Sequence, residues 1–195
     1  TDYRDTQPEP IDMQVLEGST ETVLKDVEQY RSDLGFAFIM DVQMPAFRYN
    51  LQRRDMDAET LQQVRACVSM GEKNPYSRSR TIRFREMAGQ RYVRYSDDFF
   101  SLENGLCSIE QALKPALDRA VISNSGQVIL NLLDETDCCN VCIPTFFGVK
   151  NYGNIRIAVI EPETKVNFVC IYRDTPAGEA AGFLAYLREL GSTRK

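Results

Sequence analysis

The 195-residue chain contains no histidine and no tryptophan. The missing histidine excludes Ser-His-Asp and Cys-His catalysis, histidine-ligated metals and an imidazole pH switch together. No apolar run approaches the roughly 18 residues of a membrane span, and the start, Thr1 to Pro10, is acidic and polar, unlike a secretory signal. The phosphate-cradling glycine motifs and the G-x-S-x-G nucleophile elbow are also missing. Hydrophobic residues make up 43% and charged residues 26%, ordinary globular proportions that exclude a long disordered or collagen-like chain.

Six cysteines stand at 67, 107, 138, 139, 142 and 170. The chain is long enough to hold a core without covalent staples, and Cys67 and Cys170 lie within apolar patterns, where thiols behave as small hydrophobes. This usage points to a reducing cytoplasm. Cys139 and Cys142 form a C-x-x-C, the spacing of redox and metal sites. No second pair completes a zinc set, and nothing in the sequence calls for a cofactor or a metal. The stretch Ile143 to Gly153 is similar to the thioredoxin-like strand that opens with a proline. In that family, however, the C-x-x-C lies far upstream at a helix start, whereas here it directly precedes Pro144.

Residues 1–18 carry five acids and two prolines without periodicity and suggest an acidic arm or linker; residues 19–195 suggest a single domain. Ser19 or Thr20 caps an expected helix reaching Leu34, and Phe36 to Gln43 forms an expected strand stopped by Pro45. Asp57 opens an expected second helix with Leu61, Val64 and Val68 inward. Residues 80–87 and 91–95 suggest a hairpin around Ala88-Gly89-Gln90. Ser108 and Gln111 have the spacing of a capping box for a third helix reaching Val121. Val128 to Leu133, Val141 to Val149, Asn154 to Ile160 and Lys165 to Arg173 suggest strands, the last two paired across Glu161 to Thr164. Ala177 to Leu190 closes the chain as an amphipathic helix, with Leu184 and Leu187 inward. The expected fold class is α+β: an antiparallel or mixed sheet of about five to seven strands flanked by about four helices. A helix running into Leu34-Gly35-Phe36-Ala37-Phe38-Ile39-Met40, followed by sheet strands and a closing helix, resembles the GAF/PAS-like and LuxR autoinducer-binding sensor domains. That resemblance implies a ligand-sensing role.

Charge is unevenly placed. Lys73 to Tyr95 holds seven basic residues against one acid, a local +6 inside a chain of net −5, so the remainder is −11. Arginine captures carboxylate and phosphate bidentately, and neighbouring aromatics stack on flat ligands. Arg78, Arg80, Arg83, Arg85, Arg91, Tyr92, Arg94 and Tyr95 are therefore the candidate binding residues. An acidic protein surface or a compact anionic ligand fits them better than nucleic acid, which the acidic remainder repels. A solvated edge carrying arginines against self-pairing explains them as well. The function expected is a non-enzymatic regulatory or interaction domain; the alternative is a thiol-dependent enzyme or redox protein using Cys139 or Cys142. Phe36, Phe38, Phe99, Phe100, Phe146, Phe147 and Phe168 are core candidates, some of which could line an apolar pocket.

Overall fold

A computed structural model describes Tyr3 and residues 11–95, 98–144 and 154–192. Ser19 caps the first helix, its Oγ accepting from the Thr22 amide at 3.2 Å, and α1 (Thr20–Glu28) buries Leu24 and Val27. The helix ends six residues before Leu34, and Tyr30 takes a left-handed φ of 55° just beyond it. β1 (Gly35–Met40) follows. A Cβ on Gly35 would lie 2.7 Å from Val23 Cγ1 and 2.9 Å from Val27 Cγ2, so the missing side chain lets α1 rest on the strand. Pro45 does not merely stop β1. After a 3-10 turn (Asp41–Gln43) it sits in the first turn of α2 (Met44–Gln52), where a missing amide costs nothing.

The expected second helix is instead two strands, β2 (Asp57–Arg65) and β3 (Cys67–Met70). The expected arginine hairpin is also absent. β4 (Thr81–Arg83) runs into a four-residue helix, α3 (Phe84–Met87), and β5 (Val93–Arg94) has only two residues. The third helix begins earlier than expected. α4 (Leu102–Ile109) is capped by Ser101, whereas Ser108 donates from within it to the Asn104 carbonyl. Pro115 lies in the first turn of α5 (Lys114–Leu117), which leads to β6 (Val121–Ile122). Val128 to Leu133 belongs to a helix, α6 (Gly126–Glu135), capped by Ser125. β7 (Cys139–Cys142), β8 (Arg156–Glu161), β9 (Lys165–Tyr172) and α7 (Gly178–Ser192) complete the described chain. The expected continuation of the β7 strand through Val149, with Phe146 and Phe147, lies outside the described residues.

The α+β class is as expected, with the strands divided between sheets. One sheet has the order β1-β9-β2 and is antiparallel throughout; a second has the order β4-β8-β3-β7, with β4 parallel to β8. β5 and β6 form a small parallel pair. β8 and β9 therefore do not pair as a hairpin: the chain crosses from the second sheet to the first between them. It crosses the other way between β2 and β3, at fully buried Ala66. The two crossings bind each other, the Ala66 amide donating to the Thr164 carbonyl at 2.7 Å and Ile160 N donating to Ala66 O at 3.2 Å. A bulge between Thr60 and Gln62 adjusts the β2–β9 register.

Each half carries its own packing. Leu24, Val27, Ile39, Phe47, Leu51, Val169 and Ile171 pack around the first sheet, while Val68, Met70, Ile82, Met87, Leu113 and Ile160 pack around the second. Met40 and Val166 of the first sheet join the second cluster, so the core is continuous past the crossing. α4 is pulled against the 3-10 turn because Gly105 leaves room for Met40 and Gln43; a Cβ there would lie 2.7 Å from each side chain. Gln43 Nε2 also donates to the carbonyls of Phe99 (3.0 Å) and Ser101 (3.2 Å), fixing where α4 begins. At the far side, Tyr3 packs on α7 with ring centroids 5.0 Å from Phe183 and 5.1 Å from Tyr186.

Candidate ligand cleft

Between the two sheets lies a cleft of about 480 Å³. The first half contributes the start of α1 (Ser19, Thr20, Val23) and Phe36 and Phe38 of β1. The second contributes Ser69 of β3, Ile129 and Leu133 of α6, Asn140 to Cys142 of β7 and Ile157 of β8. The segment from Asp98 to Glu103 at the start of α4 spans the two. Three helix starts thus meet at one apolar hollow, because β1 leads out of α1 and both α4 and α6 pack back across the sheet ends.

The walls are pre-ordered. Phe168 stacks on Phe36 and Phe38, with centroid separations of 5.7 and 4.9 Å, and Phe100 meets Phe47 edge-on at 5.2 Å. Asp98 ties the rim together: Oδ2 accepts from Thr20 N at 3.1 Å, Oδ1 from Phe100 N at 2.8 Å, and its carbonyl from Asn104 Nδ2 at 2.6 Å. Asn140 Nδ2 donates to the Val93 carbonyl at 2.9 Å, and Ser69 Oγ to the Asn140 carbonyl at 3.4 Å. Burial and the Glu17 carboxylate hold the Tyr95 phenol above its ordinary pKa, so the hydroxyl keeps its proton.

Among the described residues, the lining offers binding chemistry and no activated nucleophile. Ser19 and Ser101 accept helix amides through their hydroxyl oxygens, and Ser69 donates to a backbone carbonyl. Burial pushes the Cys142 thiol up to about 12. The C-x-x-C lies along β7, where residues three apart alternate faces and their Cα atoms sit about 10 Å apart. A disulfide needs less than about 7 Å, so Cys139 and Cys142 do not form a dithiol pair in this fold. Cys139 is fully buried, its thiol raised well above the ordinary range by that burial. Burial also raises Cys67 to about 11 and Cys170 to about 12. The alternative expectation of a thiol enzyme therefore finds no reactive thiolate at these four positions.

The predicted binding residues do not converge. Arg78, Arg80, Arg83, Arg85 and Arg91 are exposed along a surface segment, whereas Tyr92 and Arg94 are buried. The Tyr92 hydroxyl donates to the Met87 carbonyl at 2.9 Å. Arg83 pairs with Glu161 at 3.9 Å and Arg91 with Asp137 at 3.0 Å. Of the eight, Tyr95 alone lines the cleft. The aromatic list did better, since Phe36, Phe38 and Phe100 all line it. Ser125 and Gly126, not singled out in the sequence, start the helix that forms one wall. The signal present in sequence was the set of helix-capping serines at 19, 101 and 125.

No protein-family model and no curated protein matches this chain. Solved structures do. The effector-binding domain of a BenM variant superposes with a TM-score of 0.71 at 12% identity, covering 98% of this chain and 85% of that one. HinK, a LysR family transcriptional regulator from Pseudomonas aeruginosa, gives 0.69 at 14% identity, covering 96% and 63%. The effector-binding domain of QuiR, in complex with shikimate, gives 0.61 at 15% identity, covering 91% and 80%. The chain has the fold of these effector-binding domains. It spans 63% of the HinK chain, less than two thirds of that regulator.

Proposed function

We propose that this chain is a non-enzymatic regulatory domain that binds a small organic effector in the cleft between its two sheets. The observation that carries this reading is the cleft itself. Its roughly 480 Å³ lies within the about 300–1,000 Å³ of small-molecule pockets, and its walls belong to both halves of the fold. A molecule touching Phe36 and Phe38 on one side and Ile129 and Asn140 on the other favours one relative placement of the halves. The Ala66 and Thr164 crossings are where such a shift would be absorbed. The shared fold supports the reading, since QuiR carries shikimate in a domain of this architecture. Full-length neighbours are transcription regulators, one solved with its target DNA. In this proposal the chain supplies the sensing body of such a regulator, and DNA contact is not assigned to it.

Among the described residues, no helix is long and apolar enough to cross a membrane. The test begins with the compound that copurifies with the native protein, identified by native mass spectrometry. Added back at about 100 times its dissociation constant, it stabilises the fold by about 2.7 kcal/mol, a rise in Tm of roughly 5–11 °C for a domain of this size. Gly126→Phe places a ring at the cleft mouth, where a Cβ meets nothing within 4 Å, and removes the rise. Full stabilisation of the Gly126→Phe protein would overturn the proposal.

A further inference from the structure

All six cysteines lie within the described residues, and two of them meet across neighbouring strands in the cleft wall. We infer that Cys67 and Cys142 form a two-coordinate site for a soft, closed-shell metal ion such as Cu(I). The site does not depend on the effector reading. The register sets Cys67 of β3 directly opposite Cys142 of β7, and Ser69 opposite Asn140. Side chains alternate faces along a strand, so these four share one face of the sheet. Ser69, Asn140 and Cys142 line the cleft, which makes this the cleft-facing side. Cys142 is partly exposed there and gives an ion its entry, while Cys67 beside it is buried.

The spacing suits a metal bridge better than a disulfide. The Ala66 carbonyl accepts from Ile160 N on the β8 side, so the amide of the same peptide, Cys67 N–H, turns to β7. Cys67 and Cys142 are therefore a hydrogen-bonded pair, with Cα atoms about 5.5 Å apart and Cβ atoms at the wide end of about 4.5–5.5 Å. A disulfide holds its Cβ atoms about 3.5–4.5 Å apart. Two metal–sulfur bonds of about 2.3 Å in line separate the sulfurs by about 4.6 Å, a span this pair can supply. Among the described residues, no three histidine, cysteine or carboxylate groups gather as metal ligands. Zinc wants four such ligands, whereas soft thiolates favour Cu(I). Ser69 hydrogen-bonds at the Cys142 sulfur through its side chain and backbone, and Arg65 acts on Cys67; both favour the thiolate. Burial outweighs them in the free chain, so each sulfur keeps its proton until an ion displaces it. Binding forms two metal–sulfur bonds, sends two protons to solvent and moves no electrons. Cys67 gives up only a long 3.7 Å bond to the Arg65 carbonyl.

The probe is Cu(I), added without oxygen to the reduced full chain in competition with a colorimetric Cu(I) chelator. One ion should bind per chain, and X-ray absorption should show two sulfur neighbours and no third ligand. Below the thiol pKa the affinity should rise about a hundredfold per pH unit, because two protons leave together; a single thiol gives about tenfold. Cys142→Ser should weaken binding by more than about a hundredfold, since changes one shell further out already cost roughly 10–100-fold. Cys67→Ser should do the same, while Cys107→Ser on α4 leaves the affinity unchanged. Thermal unfolding confirms that each variant is folded, and where one is not, the pH slope and absorption spectrum of the native chain decide. Binding that survives Cys142→Ser, a tenfold slope, or three or more ligands around the ion would each overturn the proposal. None of these results touches the effector reading, which stands or falls with Gly126→Phe.

Discussion

Gly71 ends β3 where the chain passes the last turn of α6, and the contact tests whether the cleft wall is seated as described. An ideal Cβ on Gly71 overlaps the Leu133 carbonyl oxygen and lies 2.9 Å from the Leu133 carbonyl carbon and 3.2 Å from Asp134 Cα. All three are backbone atoms, so no side chain can rotate away. Gly71→Ala therefore forces the end of α6 back from β3. Leu133 is 1% exposed and packs with Val93, Ile129 and Cys138. A retreat of 0.5–1 Å forfeits roughly a quarter to a half of each dispersion well along that face, and overpacking of this kind costs about 1–3 kcal/mol or more. With backbone as the obstacle we expect the upper end, about 3 kcal/mol, or a fall in Tm of roughly 6–12 °C. Urea titration read by circular dichroism measures it. Gly89→Ala is the control, since a Cβ there meets nothing within 4 Å, and it changes stability by less than about 0.5 kcal/mol. Because Leu133 and Ile129 also line the cleft, Gly71→Ala weakens effector binding as well. A Gly71→Ala protein as stable as the Gly89→Ala control would refute the seating of α6 on β3.

Two further outcomes follow from the thiols and the arginines. Burial raises Cys67 to about 11 and both Cys142 and Cys170 to about 12, so the folded chain holds these protons where the unfolded chain releases them. Their stabilising contribution is complete below the unfolded thiol pKa of about 8.5 and is lost as pH rises toward the folded values. Tm should therefore fall steadily between about pH 8.5 and 11. In the same protein, alkylation by iodoacetamide at pH 7.5 should be slow at buried Cys67 and Cys170 until denaturant is added; rapid labelling of the folded chain at either would contradict their burial. On the surface, Arg83→Glu combined with Arg85→Glu should shift stability by less than about 1 kcal/mol, since both side chains are exposed and the Arg83–Glu161 pair is solvated. Should that double variant also lose a protein partner in pull-down from its native source, the arginine segment is a docking face. A loss above about 2 kcal/mol would make the arginines structural instead.

What could be read from the sequence was whatever local pattern determined alone. The Ser19 cap, the apolar strand after Gly35, the β9 run and the closing helix all appeared where periodicity and capping pointed, because each is long or sharply punctuated. The failures share a cause. Leu61, Val64 and Val68 have helical spacing, yet residues 57–65 pair with β9 about a hundred positions away, and that pairing decides their conformation. Val128 to Leu133 is a short apolar run broken only by Asn131, which periodicity cannot assign; Ser125, whose hydroxyl accepts from Val128 N, marks it as a helix. Ala88-Gly89-Gln90 looked like a hairpin turn, but β4 finds β8 and β5 finds β6, both parallel and both remote.

The charge arithmetic does not locate the cleft, for the same reason. A +6 segment pointed to anion capture because neighbouring residues were taken to form one site. Folding sends five of its arginines outward and buries a sixth, while the cleft collects residues from Gly18 to Ile157. The sign of a site is set by what nonlocal pairing assembles there, and here that includes Asp98 and Glu103, which lie just beyond the basic run. Local charge along the chain therefore says which surface repels or attracts a partner. It does not say what the cleft holds, because the residues that line the cleft come from Gly18 to Ile157 and only Tyr95 of the basic segment is among them.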